Sequence, residues 1–322
     1  MSTATFFSPV QEGILLVEER MRSQADAQSH PDLRAALEHL LAAGGKRVRP
    51  ALGLLVGNML GGKQETLVTL GAAVEMLHTA TLVHDDLIDG SLLRRGMPTL
   101  NARWSPAATV LTGDFLFSRA AKLAAETDYL PLMKLFADTL STIVNGELTQ
   151  LFAARGLIDR ANYYRRIFAK TASLFEMSAL AATMVSTEDE ETRSLMKKYG
   201  YEIGMAFQIM DDVLDFSGEQ ATMGKPVGSD LLQGLVTLPA IYYAESFPED
   251  PDVKLLAEGG WGNQERMDRL VKSIRNTDSI NKSVEEARTY VERALEAMQK
   301  FPASQDRNEL ENMAKYIIDR NI

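Results

Sequence analysis

Two short acidic segments, each closing a long apolar run, constrain this chain more than any other feature. Leu82-Val83-His84-Asp85-Asp86-Leu87-Ile88-Asp89 is the first, and Phe207-Gln208-Ile209-Met210-Asp211-Asp212-Val213-Leu214-Asp215 repeats its D-D-x-x-D spacing. Residues four apart are neighbours on one helix face, so Asp85 pairs with Asp89 and Asp211 with Asp215. Carboxylates clustered on an apolar helix face repel one another and lose hydration, a cost that a cation offsets. Mg²⁺ takes one or two protein carboxylates and fills its octahedron with water and substrate phosphate oxygens. Two boxes facing each other would therefore clamp a phosphorylated substrate. One box alone reads equally well as a solvated helix end with surplus acid, a reading that the repeat weakens.

Around the boxes the chain reads as helix after helix. Apolar residues recur at three- and four-residue spacing over Val10–Ala27, Asp32–Ala42, Pro50–Leu60 and Glu65–Ile88, punctuated by Gly44-Gly45 and Gly61-Gly62. Ser105-Pro106 supplies an N-cap and a first-turn proline for Ala107–Thr127. Further helices are predicted at Leu130–Ala154, Asp159–Met184, Glu188–Phe216, Val236–Ser246, Gln264–Asn276, Val284–Lys300 and Asn308–Arg320, with Ser283 and Glu286 in a capping-box pattern. Ala108–Phe117 holds enough Thr, Val and Phe to pass for a strand, but it lies within a helix-length pattern. Leu70–Val83 and Phe168–Val185 are apolar nearly all round, as the central helices of a large bundle are. The expectation is one all-α domain over residues 1–322, with the active-site cavity between central helices.

No cysteine is present, which fits a reducing compartment. A net charge of −10 argues against nucleic-acid binding and leaves phosphate chemistry to local basic clusters. No stretch reaches the ~20 consecutive apolar residues of a membrane span. The first 19 residues lack the basic-then-apolar order of a secretory signal. A cytoplasmic protein without a transmembrane segment is expected.

Gly44-Gly45-Lys46-Arg47-Val48-Arg49-Pro50 packs three cations between a helix end and a proline start, where side chains and backbone N–H groups can hold an anion. The bland reading is a helix end whose Lys and Arg answer the macrodipole. His78 lies two turns before Asp85 on the same face, where a lone histidine is more often a satisfied core residue than a ligand. Arg94-Arg95 follow Asp89 closely and suit phosphate contacts beside a metal, although an isolated Arg pair is by default solvated.

Together these segments resemble the trans-isoprenyl diphosphate synthases, also called polyprenyl synthetases. The resemblance rests on G-G-K-R-x-R-P at 44–50, H-x-x-x-x-x-H-D-D-x-x-D from His78 to Asp89, R-R-G at 94–96 and G-D-F-L-F at 113–117. It continues through K-T at 170–171, F-Q-x-x-D-D-x-x-D from Phe207 to Asp215 and G-K-P-x-G-x-D at 224–230. The motifs run in family order over about two-thirds of the chain.

The resemblance implies the isoprenoid-synthase helical bundle and a chain-elongating prenyltransferase that works as a homodimer. By its implication Asp85, Asp86, Asp89, Asp211, Asp212 and Asp215 bind about three Mg²⁺ on an allylic diphosphate. Lys46, Arg49, His78 and Arg95 would hold isopentenyl diphosphate, and Arg94, Lys170 and Lys225 the allylic diphosphate. Thr171 and Gln208 would steady the allylic cation, and Ser217–Gly228 would form a mobile lid carrying Lys225. The implied reaction ionises the allylic C–O bond in a water-excluding site, after which the isopentenyl double bond attacks the cation. Leu235 departs from the pattern, since the family usually has lysine there, and its presence weakens the expected grip on the allylic diphosphate.

Other functions fit less of the sequence. A non-catalytic subunit of a heteromeric synthase would normally lose aspartates from the boxes, and a class I terpene cyclase would not need the set Lys46, Arg49 and His78. A His-Asp phosphohydrolase needs more metal-ligand histidines than a chain with four His supplies. Product length is expected to follow Thr81, one turn before Asp85, and Ala80, the family's other gate position. Short-product members carry aromatics there, so small residues imply a deeper tunnel and a long all-trans product, with geranylgeranyl diphosphate as the alternative.

Overall fold

In a computed structural model describing residues 5–25, 30–153, 156, 158–217 and 227–319, the chain is almost wholly helical. Among the described residues the strands form a single hairpin, Leu93–Arg94 paired antiparallel with Met97–Pro98. The all-α expectation holds. Two compact units emerge: residues 1–138, 177–197 and 301–310 in the first, and 139–176, 198–300 and 311–322 in the second.

The first unit is organised on the Gln64–Ile88 helix, buried without interruption from Leu67 to Leu77. Around it pack the helices Val48–Met59, Gln11–Arg22 and Pro106–Ala125. Gln64–Ile88 is long and apolar enough to cross a membrane by length and composition alone, yet 78% of that window is buried inside the protein, as in a core helix. Pro106–Ala125 is helical throughout, Ala108–Phe117 included, and begins as predicted, with the Ser105 hydroxyl accepting from the Ala108 amide at 3.3 Å. Gly113 allows its close approach, because a Cβ there would lie 2.1 Å from His84 Nε2.

The 93–98 hairpin escapes the sequence pattern because two-residue strands are too short to show alternation. Its signal lay in the turn: Arg95 and Gly96 take φ of 51° and 76°, the positive values that match hairpin twist. The short helices Leu100–Arg103, Ser229–Leu232 and Pro251–Ala257 were also missed. The last had a readable start in Asp250-Pro251, where the Asp250 side chain caps the Asp252 amide at 2.7 Å.

In the second unit Gln264–Arg275 shows the amphipathic rule plainly, burying Met267, Leu270, Val271 and Ile274. The helix assigned to Val284–Lys300 spans Ser279–Met298, so the Ser283/Glu286 capping box does not form. Ser283 is buried with its hydroxyl on the Ser279 carbonyl, while Glu286 accepts from Tyr164 and, at 2.6 Å, from Tyr242. Tertiary donors outcompete the local cap. The continuous helix expected over Asp159–Met184 is instead Arg160–Ile167, a π-helical turn at Phe168–Ala172, and Ser173–Met184. Such turns often mark functional positions. Of the predicted lid, residues 218–226, Lys225 among them, lie outside the described residues.

Candidate active site

In the first unit the glycine-bounded basic segment does two different things. Arg47 turns inward: at φ 46° it precedes the Val48–Met59 helix and is buried, with Nε on Glu18 at 2.8 Å and Nη1 on Glu75 at 2.9 Å. Lys46 beside it is exposed. Arg49 donates from Nη1 to His78 Nε2 at 3.2 Å, which makes Nε2 the acceptor and places the imidazole proton on Nδ1. Burial first, then the Arg49, Arg95 and Arg94 charges, push the His78 pKa well below its ordinary value, so the ring is neutral.

Arg95 donates to the Gly44 carbonyl, and burial with the charges of Arg47 and Arg94 draws its pKa down. Arg47, His78, Arg94 and Arg95 line one cavity of about 40 Å³, with Glu75 and Asp86 in its wall. Guanidiniums crowded so closely are stabilised by an anion. The structure thus brings together Arg49, His78 and Arg95, three of the four residues expected to hold isopentenyl diphosphate, and adds Arg94 from the expected allylic set.

The first aspartate box is divided. Asp85 and Asp89 end the Gln64–Ile88 helix one turn apart, with the Asp89 amide on the Asp85 carbonyl at 2.8 Å. Asp86 is buried and clasped by Arg94, whose Nε lies 2.9 Å from both carboxylate oxygens and whose Nη2 lies 2.8 Å from Oδ1. His84 points elsewhere, with Nε2 3.1 Å from the Val110 carbonyl and 3.6 Å from Asp114. This explains the G-D-F-L-F segment, whose Gly113 and Asp114 accommodate that ring.

The second unit carries the other box on the Glu190–Ser217 helix. Asp212 is buried, accepting from the Tyr163 hydroxyl at 2.7 Å and Gln208 Nε2 at 2.8 Å. Burial first, then the Asp230 charge, raises its pKa to about 7. Asp215 accepts from the Ser229 hydroxyl at 2.8 Å and from the Ser229 and Asp230 amides, anchoring the chain where it re-enters a helix. Thr171 donates to Gln208 Oε1 at 2.6 Å, and Lys170 lies 3.0 Å from Glu147. Both come from the π turn. Gly204 admits that turn, since a Cβ there would meet Ala172 Cα at 2.6 Å.

Among the described residues no three His, Asp or Glu side chains converge as an all-protein metal cage requires. Paired carboxylates on one helix face are nevertheless the donor set Mg²⁺ uses when substrate oxygens and water complete its shell. The site fits that ion.

A family model described as polyprenyl synthetase matches residues 30–274. The chain belongs to the polyprenyl synthetase family. It is 35% identical to a prenyl transferase of Synechocystis sp., over 99% of both chains. It is also 35% identical to heptaprenyl diphosphate synthase component 2 of Geobacillus stearothermophilus, over 100% of both. Among solved structures it resembles a Caulobacter crescentus polyprenyl synthase complexed with calcium and isoprenyl diphosphate, with a TM-score of 0.90 and 32% identity, covering 99% of this chain and 98% of that one. This polyprenyl synthetase is a prenyltransferase with the all-α isoprenoid-synthase fold. Where family members usually have lysine it has Leu235, and a different cation stands close by: Arg166 Nη2 donates to the Val236 carbonyl at 2.7 Å.

Proposed function

We propose that the chain condenses isopentenyl diphosphate with an allylic diphosphate, in repeated five-carbon steps, to a long all-trans polyprenyl diphosphate. The carrying observation is the repeated aspartate box with a separate guanidinium–imidazole cluster beside the first copy. One carboxylate set suits a metal-bound leaving group, and the cationic cluster suits a second diphosphate.

Mg²⁺, about three ions as in the family reading, would neutralise the departing diphosphate when bound. Asp85 and Asp89, with Asp211, are its proposed ligands. Asp86, Asp212 and Asp215, which the resemblance also counts among the ligands, would in addition orient Arg94, Gln208 and the Ser229–Asp230 segment. Arg94 spends Nε and Nη2 on Asp86 and keeps Nη1 for a phosphate oxygen. Lys170, and Lys225 by resemblance, would share the allylic diphosphate with it. Lys46, Arg49, His78 and Arg95 receive isopentenyl diphosphate, the neutral His78 offering an N–H without adding a charge that the neighbouring arginines would repel. Thr171 and Gln208 present oxygens to the allylic cation, and the proton lost after addition passes to the released diphosphate. The family match runs unbroken over residues 30–274, which supports the single polyprenyl synthetase domain expected over residues 1–322.

Exposed Leu148, Leu151 and Phe152, at helical spacing near the end of Leu130–Phe152, support self-association as a homodimer. A monomeric mass by light scattering at micromolar concentration would count against it. The name of the Geobacillus relative favours one second reading, that the chain is one component of a two-component synthase. Purified chain incubated with both diphosphates and Mg²⁺ decides between them. Diphosphate release that depends on both substrates and is abolished by EDTA supports the proposal, whereas an inert chain revived by a second component supports the alternative.

A further inference from the structure

The hydrogen bonds behind Gln208 run in one direction only. In its ionised form Asp212 can only accept, and it takes one donor on each oxygen, Tyr163 on Oδ2 at 2.7 Å and Gln208 Nε2 on Oδ1 at 2.8 Å. With its NH₂ committed, the Gln208 amide must turn its carbonyl to Thr171, whose hydroxyl donates to it at 2.6 Å. The single Thr171 proton is therefore consumed, and Oγ1 has only lone pairs left to offer. An oxygen in that state, polarised through a chain that begins at a buried anion, suits an electron-deficient carbon. Reversing the amide would instead leave the threonine proton free and present a positive hydrogen to it.

We propose that Tyr163 and Asp212 are positioning residues that fix the orientation of the Gln208 amide and so make Thr171 an acceptor toward the allylic cation. The inference rests on the proposed function and gives Asp212 a role other than metal ligation. Tyr163 is nearly inaccessible, at 1% exposure, and burial together with the Asp212 charge pushes its phenol well above its ordinary pKa, so it remains a donor. It belongs to Arg160–Ile167, the helix that leads into the π turn bearing Thr171, so one short segment supplies both ends of the network. Its neighbour Tyr164 ties the same helix to Glu286, which leaves Tyr163→Phe able to keep the helix in place.

The test is a double-mutant cycle on the purified full chain at pH 8, where Asp212 is ionised, with Tyr163→Phe and Gln208→Ala. Tyr163→Phe alone should lower kcat about tenfold, with both KM values and the Mg²⁺ half-saturation within about twofold of wild type. In the Gln208→Ala background the same substitution should have no further effect, because the group it orients is gone. Asp212→Asn replaces Tyr163→Phe in a second cycle, and covers the case in which the phenylalanine variant fails to fold. Its NH₂ would face Gln208 and invert the amide, so kcat should fall further at unchanged Mg²⁺ requirement. Unchanged kcat in Tyr163→Phe, equal losses with and without Gln208, or a raised Mg²⁺ requirement in Asp212→Asn would each overturn the assignment. An inactive wild type would instead reject the proposed function itself, before the cycle begins.

Discussion

Asp212 makes a stability prediction that needs no substrate. Its carboxyl titrates at about 7 in the folded chain against 3.8 in the reference state. A raised folded pKa means that the native state holds a proton which the unfolded chain has released. The resulting stabilisation is complete below pH 3.8 and is lost as pH rises through about 7. The gap corresponds to about 4 kcal/mol at 1.36 kcal/mol per pH unit. Of that, about 1.6 kcal/mol is gone by pH 5 and essentially all by pH 8. Asp212→Asn cannot ionise and escapes this loss. The stability of the variant relative to wild type should therefore rise by about 3 kcal/mol between pH 5 and pH 8. Urea unfolding in EDTA at several pH values, followed by circular dichroism, measures it. Parallel curves for the two proteins would refute the argument, since they would mean that Asp212 is ionised throughout and its burial is matched by its donors.

Asp85→Ala or Asp211→Ala should lower turnover by several orders of magnitude with helical content intact, each removing a metal ligand, as a kinetic assay paired with far-UV circular dichroism will show. Lys46→Ala and Arg49→Ala should raise KM for isopentenyl diphosphate more than for the allylic primer; equal effects would reject the division of the two sites. Thr81→Phe should shorten the product by mass spectrometry, because one helical turn is about 5.4 Å, on the order of one isoprene unit. Ala80→Phe should shorten it too but carries an overpacking cost of about 1–3 kcal/mol in Tm measurements, since Ala80 is completely buried whereas Thr81 is half-buried with its hydroxyl on the His78 carbonyl.

Residues that report on their own helix were readable in the sequence. Asp85 and Asp89 declare their pairing through spacing alone, and Ser105 declares a helix start. What was not readable depends on elements that arrive from elsewhere in the chain. The three cations of 46–49 look alike in sequence, yet Arg47 is drawn inward by Glu18 and Glu75 on two other helices. The partners of Asp86 and Asp212 were not readable either, since Arg94 arrives on an unforeseen hairpin and Tyr163 from a distant helix. The π turn leaves no mark on apolar periodicity, and only the glycine opposite it, Gly204, hints at a close approach.

Repeated elongation leaves its record in the distribution of product lengths. Purified chain with Mg²⁺, isopentenyl diphosphate and farnesyl or geranylgeranyl diphosphate should give all-trans products spaced by five carbons and longer than twenty, read by mass spectrometry after dephosphorylation. Products that stop at fifteen carbons, or cyclised hydrocarbons formed without consuming isopentenyl diphosphate, would contradict it.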